Sequence, residues 1–186
     1  MPPKVRITKE DIIHTAVDLV RQQGESSVNA RTVAAMLNCS TQPVFSNFAT
    51  MEELRRATLQ QIHQIYQDYI QREVSSAVYP AYKASGMAYI RFAKEEKELF
   101  KMLFMRDRSG EPLPNEWDMG ENIEKIVRNS TGLEGSIMQL FHLEMWAYVH
   151  GIAVMFATGF LDLEWDLVSK MLSDAYMGMR KQYGME

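Results

Sequence analysis

The chain has 186 residues, of which 46% are hydrophobic and 24% are charged, and this composition excludes a disordered protein and allows one domain or two small ones. Its formal net charge of -4 argues against a protein that coats nucleic acid through bulk positive charge, but it is compatible with a small DNA-reading patch. A single cysteine, Cys39, excludes an internal disulfide and a cysteine-rich zinc site and fits a reducing compartment.

Apolar residues recur at helical spacing along the chain, which predicts an all-α protein of about nine helices. The first helix begins with a capping-box pattern at Thr8 and ends at Gly24. A short second helix is expected after the N-cap Asn29. A short third helix is expected after the N-cap Ser40, because Pro43 is tolerated only in a first helical turn. Three short helices with a tight turn before the third are typical of a helix-turn-helix.

The rest of the chain is predicted to be helical as well. Thr50 begins a second capping-box pattern, which opens a long amphipathic helix that ends near Glu73. The uncharged stretch 145–161 is at the short limit for a membrane span, and a helix buried on all sides is the favoured interpretation. No apolar signal-peptide core follows the N-terminus, so a cytoplasmic location is expected. Further helices are expected at about 80–96, 97–106, 117–130, 135–160 and 164–182.

The stretch 33–51 carries a specific resemblance. It reads VAAMLNCSTQPVFSNFATM, and residues 8–54 around it resemble the DNA-binding domain of the TetR/AcrR family of bacterial regulators. Asn38 and Cys39 hold the positions where the family usually has a turn Gly-Val. The resemblance implies that the third helix enters the major groove of DNA and that the second helix crosses the backbone.

Within this motif, Phe45 stands for the family's usual tyrosine, Asn47 for a usual His or Tyr, and Met51 for a usual phosphate-binding lysine. Residues early in a recognition helix reach base edges. Gln42 can bond an adenine edge through two hydrogen bonds, and Thr41 can bond a base or touch a thymine methyl. The predicted DNA contacts are Asn29, Arg31, Ser40, Thr41, Gln42, Pro43, Phe45, Ser46, Asn47 and Met51.

Phosphate contacts are expected from cations around the motif. Arg31 lies early in the second helix, and Asn29, which caps that helix, can donate from its amide. Further candidates, which could instead be solvated surface charges, are Lys4, Arg6, Lys9, Arg55 and Arg56. Residues 1–72 hold eight Lys/Arg and seven Asp/Glu, whereas residues 73–186 hold twelve and seventeen. The N-terminal part is therefore nearly neutral and the remainder is acidic. A DNA-binding domain needs only a patch of cations and not a positive net charge.

The C-terminal part is predicted to enclose a pocket for a small, mostly apolar effector of unknown identity, because 17 of the 19 aromatic residues follow residue 50. His142, Trp146 and His150 share one face of the eighth helix, and Trp146 to Gly151 resembles a Trp…His-Gly motif of some TetR C-terminal domains. The alternative is an ordinary core with hydrogen-bonded histidines. Neither a metal site nor a cofactor is expected from the spacings. The predicted pocket comprises Tyr82, Tyr89, Phe92, Met102, Phe104, Met105, Trp117, His142, Trp146 and His150.

The last two helices are rich in small and apolar residues, and in the TetR family the corresponding pair forms a four-helix bundle with a second subunit. The resemblance therefore implies a homodimer, which would read two half-sites of a pseudo-palindromic operator. The predicted interface comprises Ala153, Ala157, Phe160, Trp165, Leu167, Val168, Met171, Leu172 and Ala175.

These features together predict a bacterial, DNA-binding transcriptional regulator, a homodimeric repressor that a ligand releases from double-stranded DNA. The expected domains are a DNA-binding domain over 1–50, a linking helix over 50–73 and an effector and dimerisation domain over 74–186. No catalytic motif occurs, so no enzyme activity is expected. Two alternatives stay open: a helical small-molecule carrier or enzyme that does not bind DNA, and a DNA-binding protein controlled by a protein partner instead of an effector.

Overall fold

The computed structural model of the protein describes residues 7–107 and 120–185. These residues form nine α-helices, a 3-10 turn at Glu25–Ser27 and no β-strand, which confirms the predicted all-α fold. The expected start of the seventh helix at residue 117 lies outside the described residues. The helices are α1 (Lys9–Gln23), α2 (Ala30–Met36), α3 (Gln42–Asn47), α4 (Met51–Ser75), α5 (Ala81–Glu95), α6 (Lys97–Phe104), α7 (Glu121–Thr131), α8 (Gly135–Thr158) and α9 (Trp165–Gln182).

Helix α1 begins with the capping box that the sequence predicts. The Thr8 hydroxyl oxygen accepts a hydrogen bond from the Asp11 amide at 3.1 Å, and the Asp11 carboxylate accepts one from the Thr8 amide at 2.8 Å. The bond from the Thr8 amide is the main reason why the pKa of Asp11 lies below its ordinary value. At the other end, Gly24 adopts a φ of 81°, which glycine tolerates without steric cost. Both ends of α1 are therefore defined by local residues.

The turn between α2 and α3 depends on a left-handed residue. Asn29 caps α2 by accepting two amide hydrogen bonds, at 3.0 and 3.1 Å. After the helix, Asn38 has a φ of 51°, and the Cys39 amide donates to the Ala34 carbonyl at 3.0 Å. Asparagine is one of the few residues other than glycine that visit this conformation. The tight turn predicted at Asn38-Cys39 is confirmed.

Helix α3 starts one residue later than predicted. Its N-cap is Thr41 and not Ser40, because the first helical hydrogen bond runs from the Phe45 amide to the Thr41 carbonyl at 3.2 Å. Pro43 is then the second residue of the helix, where its missing amide hydrogen has no intrahelical acceptor to lose. The helix has only six residues.

The described chain divides into two compact units. The first, which we call the head, combines the described part of Met1–Tyr66 with Glu96–Arg106. In the head, α6 packs against α1, and the Arg21 guanidinium donates to the Glu96 carboxylate at 2.8 Å. The predicted boundaries place α6 in the C-terminal domain, whereas its packing is within the head. One buried cluster of the head, which we call the head core, comprises Ile12, Ala16, Leu19, Ala30, Val33, Ala34, Val44, Phe48 and Leu54.

The second unit, which we call the body, comprises Gln67–Glu95 and the described part of Asp107–Glu186. Helix α8 packs against α5, α7 and α9. Among the described helices, α8 is the one that is long and apolar enough to cross a membrane. One side of α8 contributes to the core of the body with the buried side chains Met138, Phe141, Met145, Val149, Ile152, Ala153, Phe156 and Ala157. The expectation of a helix buried on all sides is wrong, because Ala147, Tyr148 and Gly151 are exposed.

Candidate nucleic-acid interface

The two phenylalanines of α3, Phe45 and Phe48, differ in solvent exposure. Phe48 is 1% exposed and belongs to the head core with Val44, while Phe45 is 53% exposed. The Lys9 ammonium lies 4.7 Å from the centre of the Phe48 ring, which is a cation–π contact. The prediction that one of the two phenylalanines packs inward is confirmed, and the inward residue is Phe48. The opposite face of α3 is free to meet a ligand.

The outward face of α3 carries Gln42, Phe45 and Ser46, which are all exposed. Phe45 and Ser46 follow Gln42 by three and four residues, which places them on the same side of a helix. The Ser46 hydroxyl donates to the Gln42 carbonyl at 2.9 Å, so its hydrogen is already used within the helix. Gln42 presents its side-chain amide to solvent, with one oxygen acceptor and two donors. Of these three residues, Gln42 is the one equipped for two hydrogen bonds to one base.

The other predicted contacts at α3 are less accessible. Thr41, Pro43 and Asn47 are half-buried, and Ser40 is exposed. The Asn47 side chain donates to the Pro43 carbonyl at 2.8 Å, which leaves its oxygen as the group able to accept from a partner. Asn47 therefore has a structural role in holding the last turn of the short helix.

Helix α2 offers one exposed cation. Arg31 is exposed, and its guanidinium makes no ion pair with any residue in the described part of the chain. Asn29 is also exposed, but its oxygen is used in capping α2, and its amide nitrogen lies 3.4 Å from the Ser27 carbonyl. Arg31 is accordingly the stronger candidate for a phosphate contact on this helix.

Met51, the first residue of α4, is half-buried. It packs against the head core and lines an open cleft of about 520 Å³ together with Val28 and Met102. Its contact with DNA stays a prediction, and the exposed part of its side chain is what it can offer to a partner.

The remaining candidate cations differ in how far they are neutralised. The Arg55 guanidinium donates to the Glu25 carboxylate at 2.6 Å, so its charge is matched inside the head. Arg56 is largely exposed, with its nearest carboxylate at 3.9 Å. Lys9 lies 3.5 Å from the Glu53 carboxylate. Lys4 and Arg6 lie outside the described residues.

In the body, two tyrosine–histidine pairs link α5 to α8. The Tyr82 hydroxyl lies 3.0 Å from Nδ1 of His142, and the Tyr89 hydroxyl lies 2.8 Å from Nδ1 of His150. Trp146 stacks on the His150 ring, with centroids 4.8 Å apart and an angle of 19° between the planes. The structure thus pairs Tyr82 with His142 and groups Tyr89 with Trp146 and His150, all of them residues predicted to line the effector pocket.

Burial disfavours the charged forms of His142, His150 and Tyr82. It lowers the pKa of His142 to about 4 and also lowers the pKa of His150, while it raises the pKa of Tyr82. We assign each tyrosine hydroxyl as the donor to Nδ1, which leaves the histidine proton on Nε2. The cluster therefore offers neutral hydrogen-bonding groups beside aromatic surfaces.

The other predicted pocket residues belong to both units. Phe92 is buried on α5 of the body. Met102, Phe104 and Met105 belong to the head, where Met102 is buried and Phe104 packs edge-on against Tyr66 at 5.2 Å. Helical spacing alone does not show which unit a helix joins, and the role of these residues in an effector pocket stays a prediction. Trp117 lies outside the described residues.

The predicted dimer interface contains residues that the chain buries by itself. Ala153, Ala157, Val168 and Leu172 lie in the interior of the body, so their side chains are not available to a second subunit. Their assignment to the interface is corrected. Trp165 is half-buried and stacks on Phe156. Met171 and Ala175 are half-buried, and Phe160 and Leu167 are exposed.

Four exposed apolar side chains on α8 and α9 were not predicted as interface residues: Ile137, Leu140, Tyr148 and Met177. The three on α8 recur at intervals of three and eight residues, so they lie on one side of the helix. This spacing was available in the sequence. The apolar residues of α8 surround the helix, however, and the outward side becomes distinguishable only when its packing partners are known.

Comparison with known proteins identifies the fold. No family model matches the chain, and no curated protein matches its sequence. A TetR-like transcriptional regulator from Rhodococcus sp. RHA1 is similar in structure, with a TM-score of 0.66 over 99% of both chains at 15% identity. A member of the TetR family from Streptomyces coelicolor A3 has a TM-score of 0.63, covering 89% of this chain and 96% of its own at 17% identity. The chain therefore shares the fold of TetR-like regulators along its length.

Proposed function

We propose that the protein is a bacterial, cytoplasmic transcriptional regulator of the TetR type that binds DNA through α3 and has no enzymatic activity. The observation that carries the proposal is the outward face of α3, where exposed Gln42 and Phe45 stand on a helix anchored from behind by Val44 and Phe48. A recognition helix needs this combination of a fixed position and exposed base-reading groups. The fold shared with TetR-like regulators supports the same conclusion.

The proposal includes a homodimer. One six-residue reading helix provides few base contacts, and a two-fold dimer doubles them over two half-sites. Exposed apolar side chains on α8, on α9 and on the segment between them support self-association, because exposed apolar surface often marks a protein–protein interface. The interface we propose comprises Ile137, Leu140, Tyr148, Phe160, Leu167 and Met177.

The proposal also includes an effector site in the body. The two tyrosine–histidine pairs and Trp146 combine aromatic surface with uncharged hydrogen-bonding groups, as pockets for small, mostly apolar ligands do. Such a ligand would release the DNA only if it binds the DNA-incompetent conformation more tightly than the other. The protein is then a repressor that its ligand inactivates.

The test is DNA binding by the full-length protein across salt concentrations. Fluorescent duplexes would be taken from the DNA that flanks the protein's own gene and from selection out of a random pool. We expect sequence-selective binding whose logarithmic affinity falls linearly with the logarithm of salt concentration. Arg31→Ala should weaken binding to all duplexes alike and reduce the salt slope by about 1 per subunit.

The matched control is Arg128→Ala, which removes an exposed arginine from α7 of the body. Its salt slope should equal that of the wild type. Absence of salt-dependent binding to any duplex would overturn the proposal, and a tightly bound small molecule in the same preparation would then favour a carrier or an enzyme. Candidate effectors are screened by the rise in Tm that binding to the folded state produces.

A further inference from the structure

Phe45 is an exposed aromatic residue that the fold of the head does not require. It is 53% exposed, and the core contacts of α3 come from Val44 and Phe48 on the other side of the helix. Exposing half of a phenylalanine side chain forfeits part of the burial free energy that the side chain can provide. The core cluster of the head does not include Phe45, and the exposed part of its ring is available to a partner outside the head.

The position of Phe45 limits what that role can be. It lies three residues after Gln42 and one before Ser46 on the same outward face of α3. A phenyl ring carries no charge and no hydrogen-bonding atom, so it can neither bind a phosphate oxygen nor bond the polar edge of a base. In the major groove, the apolar group that such a ring can touch is the C5-methyl group of thymine.

We propose that Phe45 is a specificity-determining residue that recognises a thymine methyl group in the operator. The inference rests on the proposed DNA-binding function. Three residues of α-helix rise about 4.5 Å, and base pairs are stacked about 3.4 Å apart. The thymine therefore lies one or two base pairs from the base that Gln42 contacts, and each half-site combines a hydrogen-bonded base with a methyl-bearing neighbour.

The experiment replaces thymine by uracil, which removes the methyl group and leaves base pairing intact. A duplex selected by the full-length wild-type protein is resynthesised with one dT of each half-site changed to dU, position by position. At one or two positions per half-site, we expect affinity to fall about four-fold per half-site, the effect of one buried methyl group. At other thymines the exchange should have no effect.

Phe45→Ala tests whether Phe45 causes the effect. Measured at low salt, where phosphate contacts support binding, the variant should bind dT and dU duplexes equally. Because Phe45 is exposed, the variant should unfold at the wild-type Tm. Phe45→Tyr keeps the ring and should keep the penalty for dU. Met36→Ala is the matched control, since it removes another exposed apolar side chain of the head, on α2, and should leave the penalty unchanged.

Two outcomes would overturn the inference and leave the proposed function intact. One is sequence-selective binding with no dU penalty at any thymine. The other is a dU penalty that persists in Phe45→Ala. If no sequence-selective duplex is found at all, the proposed function itself fails, and the role of Phe45 fails with it.

Discussion

The polar side chains of α3 differ in which hydrogen-bonding groups they can still offer to a partner. The Ser46 hydroxyl and the Asn47 amide are both engaged with carbonyl oxygens inside the helix, whereas the Gln42 amide faces solvent at the first residue of α3. A hydrogen bond to a base discriminates only if its donor and acceptor are free to match that base. Gln42 therefore carries more of the expected sequence information than its neighbours.

Replacing Gln42 should relax the sequence preference of the protein. Gln42→Ala is expected to cost about 1–3 kcal/mol on the selected duplex and to abolish the preference at one base pair per half-site. The salt slope should stay unchanged, because a neutral side chain displaces no counterion. Competition binding with every base at each position measures both quantities. A variant that retains the wild-type preference at every position would exclude Gln42 as a base reader, and Arg31→Ala serves as the comparison that weakens all sequences alike.

His142 makes the stability of the protein depend on pH. Burial lowers its pKa to about 4 in the folded chain from an ordinary value of 6.5. Between these values the unfolded chain binds a proton that the folded chain does not, so the free energy of unfolding falls as the pH is lowered from 6.5 to 4. Above pH 6.5 the titration of His142 does not reduce the free energy of unfolding. Below pH 4 it reduces that free energy by at most about 3 kcal/mol.

Urea unfolding at a fixed protein concentration between pH 7 and 4 measures this dependence. His142→Asn keeps an acceptor for the Tyr82 hydroxyl but cannot titrate, so its free energy of unfolding should fall less steeply than that of the wild type. His14→Asn, at an exposed position of α1, is the control and should follow the wild-type curve. Parallel curves for the wild type and His142→Asn would contradict the prediction.

At the scale of elements, the α2–α3 turn fixes where the reading helix begins. Asn38 holds a φ of 51° and is exposed, so its side chain contributes through backbone conformation and not through burial. Asn38→Ala should destabilise the protein by about 1 kcal/mol, whereas Asn38→Gly should be nearly neutral. Urea unfolding measures both changes.

Asn129→Ala is the matched control for the turn. Asn129 is exposed within α7, where the backbone is right-handed, so alanine should be neutral or slightly stabilising. If Asn38→Ala unfolds at the same urea concentration as the wild type, the left-handed residue is not what holds the turn.

Local signals predicted the elements well. Thr8 marks the start of α1, and Thr50 begins α4, where its hydroxyl accepts from the Glu53 amide at 3.1 Å, because a capping bond is made by residues three apart in sequence. The error at Ser40 has a local cause too, since Ser40 and Thr41 are both good cap residues. Nothing local decides between them.

Which helices pack against each other is harder to predict from the sequence. The sequence could not show that α6 joins the head, because its contacts with α1 join residues about 75 positions apart, as in the Arg21–Glu96 bond. The same limit applies to Val168 and Leu172, which look like any other apolar residues of an amphipathic helix until the partner helix is known. Exposure of Phe45 and burial of Phe48 are likewise decided by the position of α1.

At the scale of the whole molecule, the outward apolar side chains of α8 and α9 form the proposed dimer surface. We expect the wild type to have twice the 21.5 kDa mass of one chain in light scattering. Leu140→Lys combined with Leu167→Lys should give folded monomers, because each lysine would lose its hydration in the proposed interface. Both leucines are exposed in the single chain, so the body should retain its helix content by circular dichroism.

Val78→Lys is the control for the dimer surface. Val78 is 70% exposed but lies between α4 and α5, so a charge there should leave the mass at two chains. A dimer that persists in the double-lysine variant would exclude this surface as the interface. A monomeric wild type would exclude the homodimer itself.

Neither compact unit is a continuous piece of chain. The polypeptide leaves the head after Tyr66, returns at Glu96 and leaves again after Arg106. A fragment that stopped at residue 66 would lack α6 and would leave Arg21 with Asp18 but without Glu96 as a carboxylate partner. In two proteins whose heads are each formed by two separate stretches of chain, recombination with a single crossover cannot exchange an intact head. An engineer who wishes to join this head to a foreign sensor must transplant α6 with it as a second segment, so the head is inherited as two separate stretches of coding sequence.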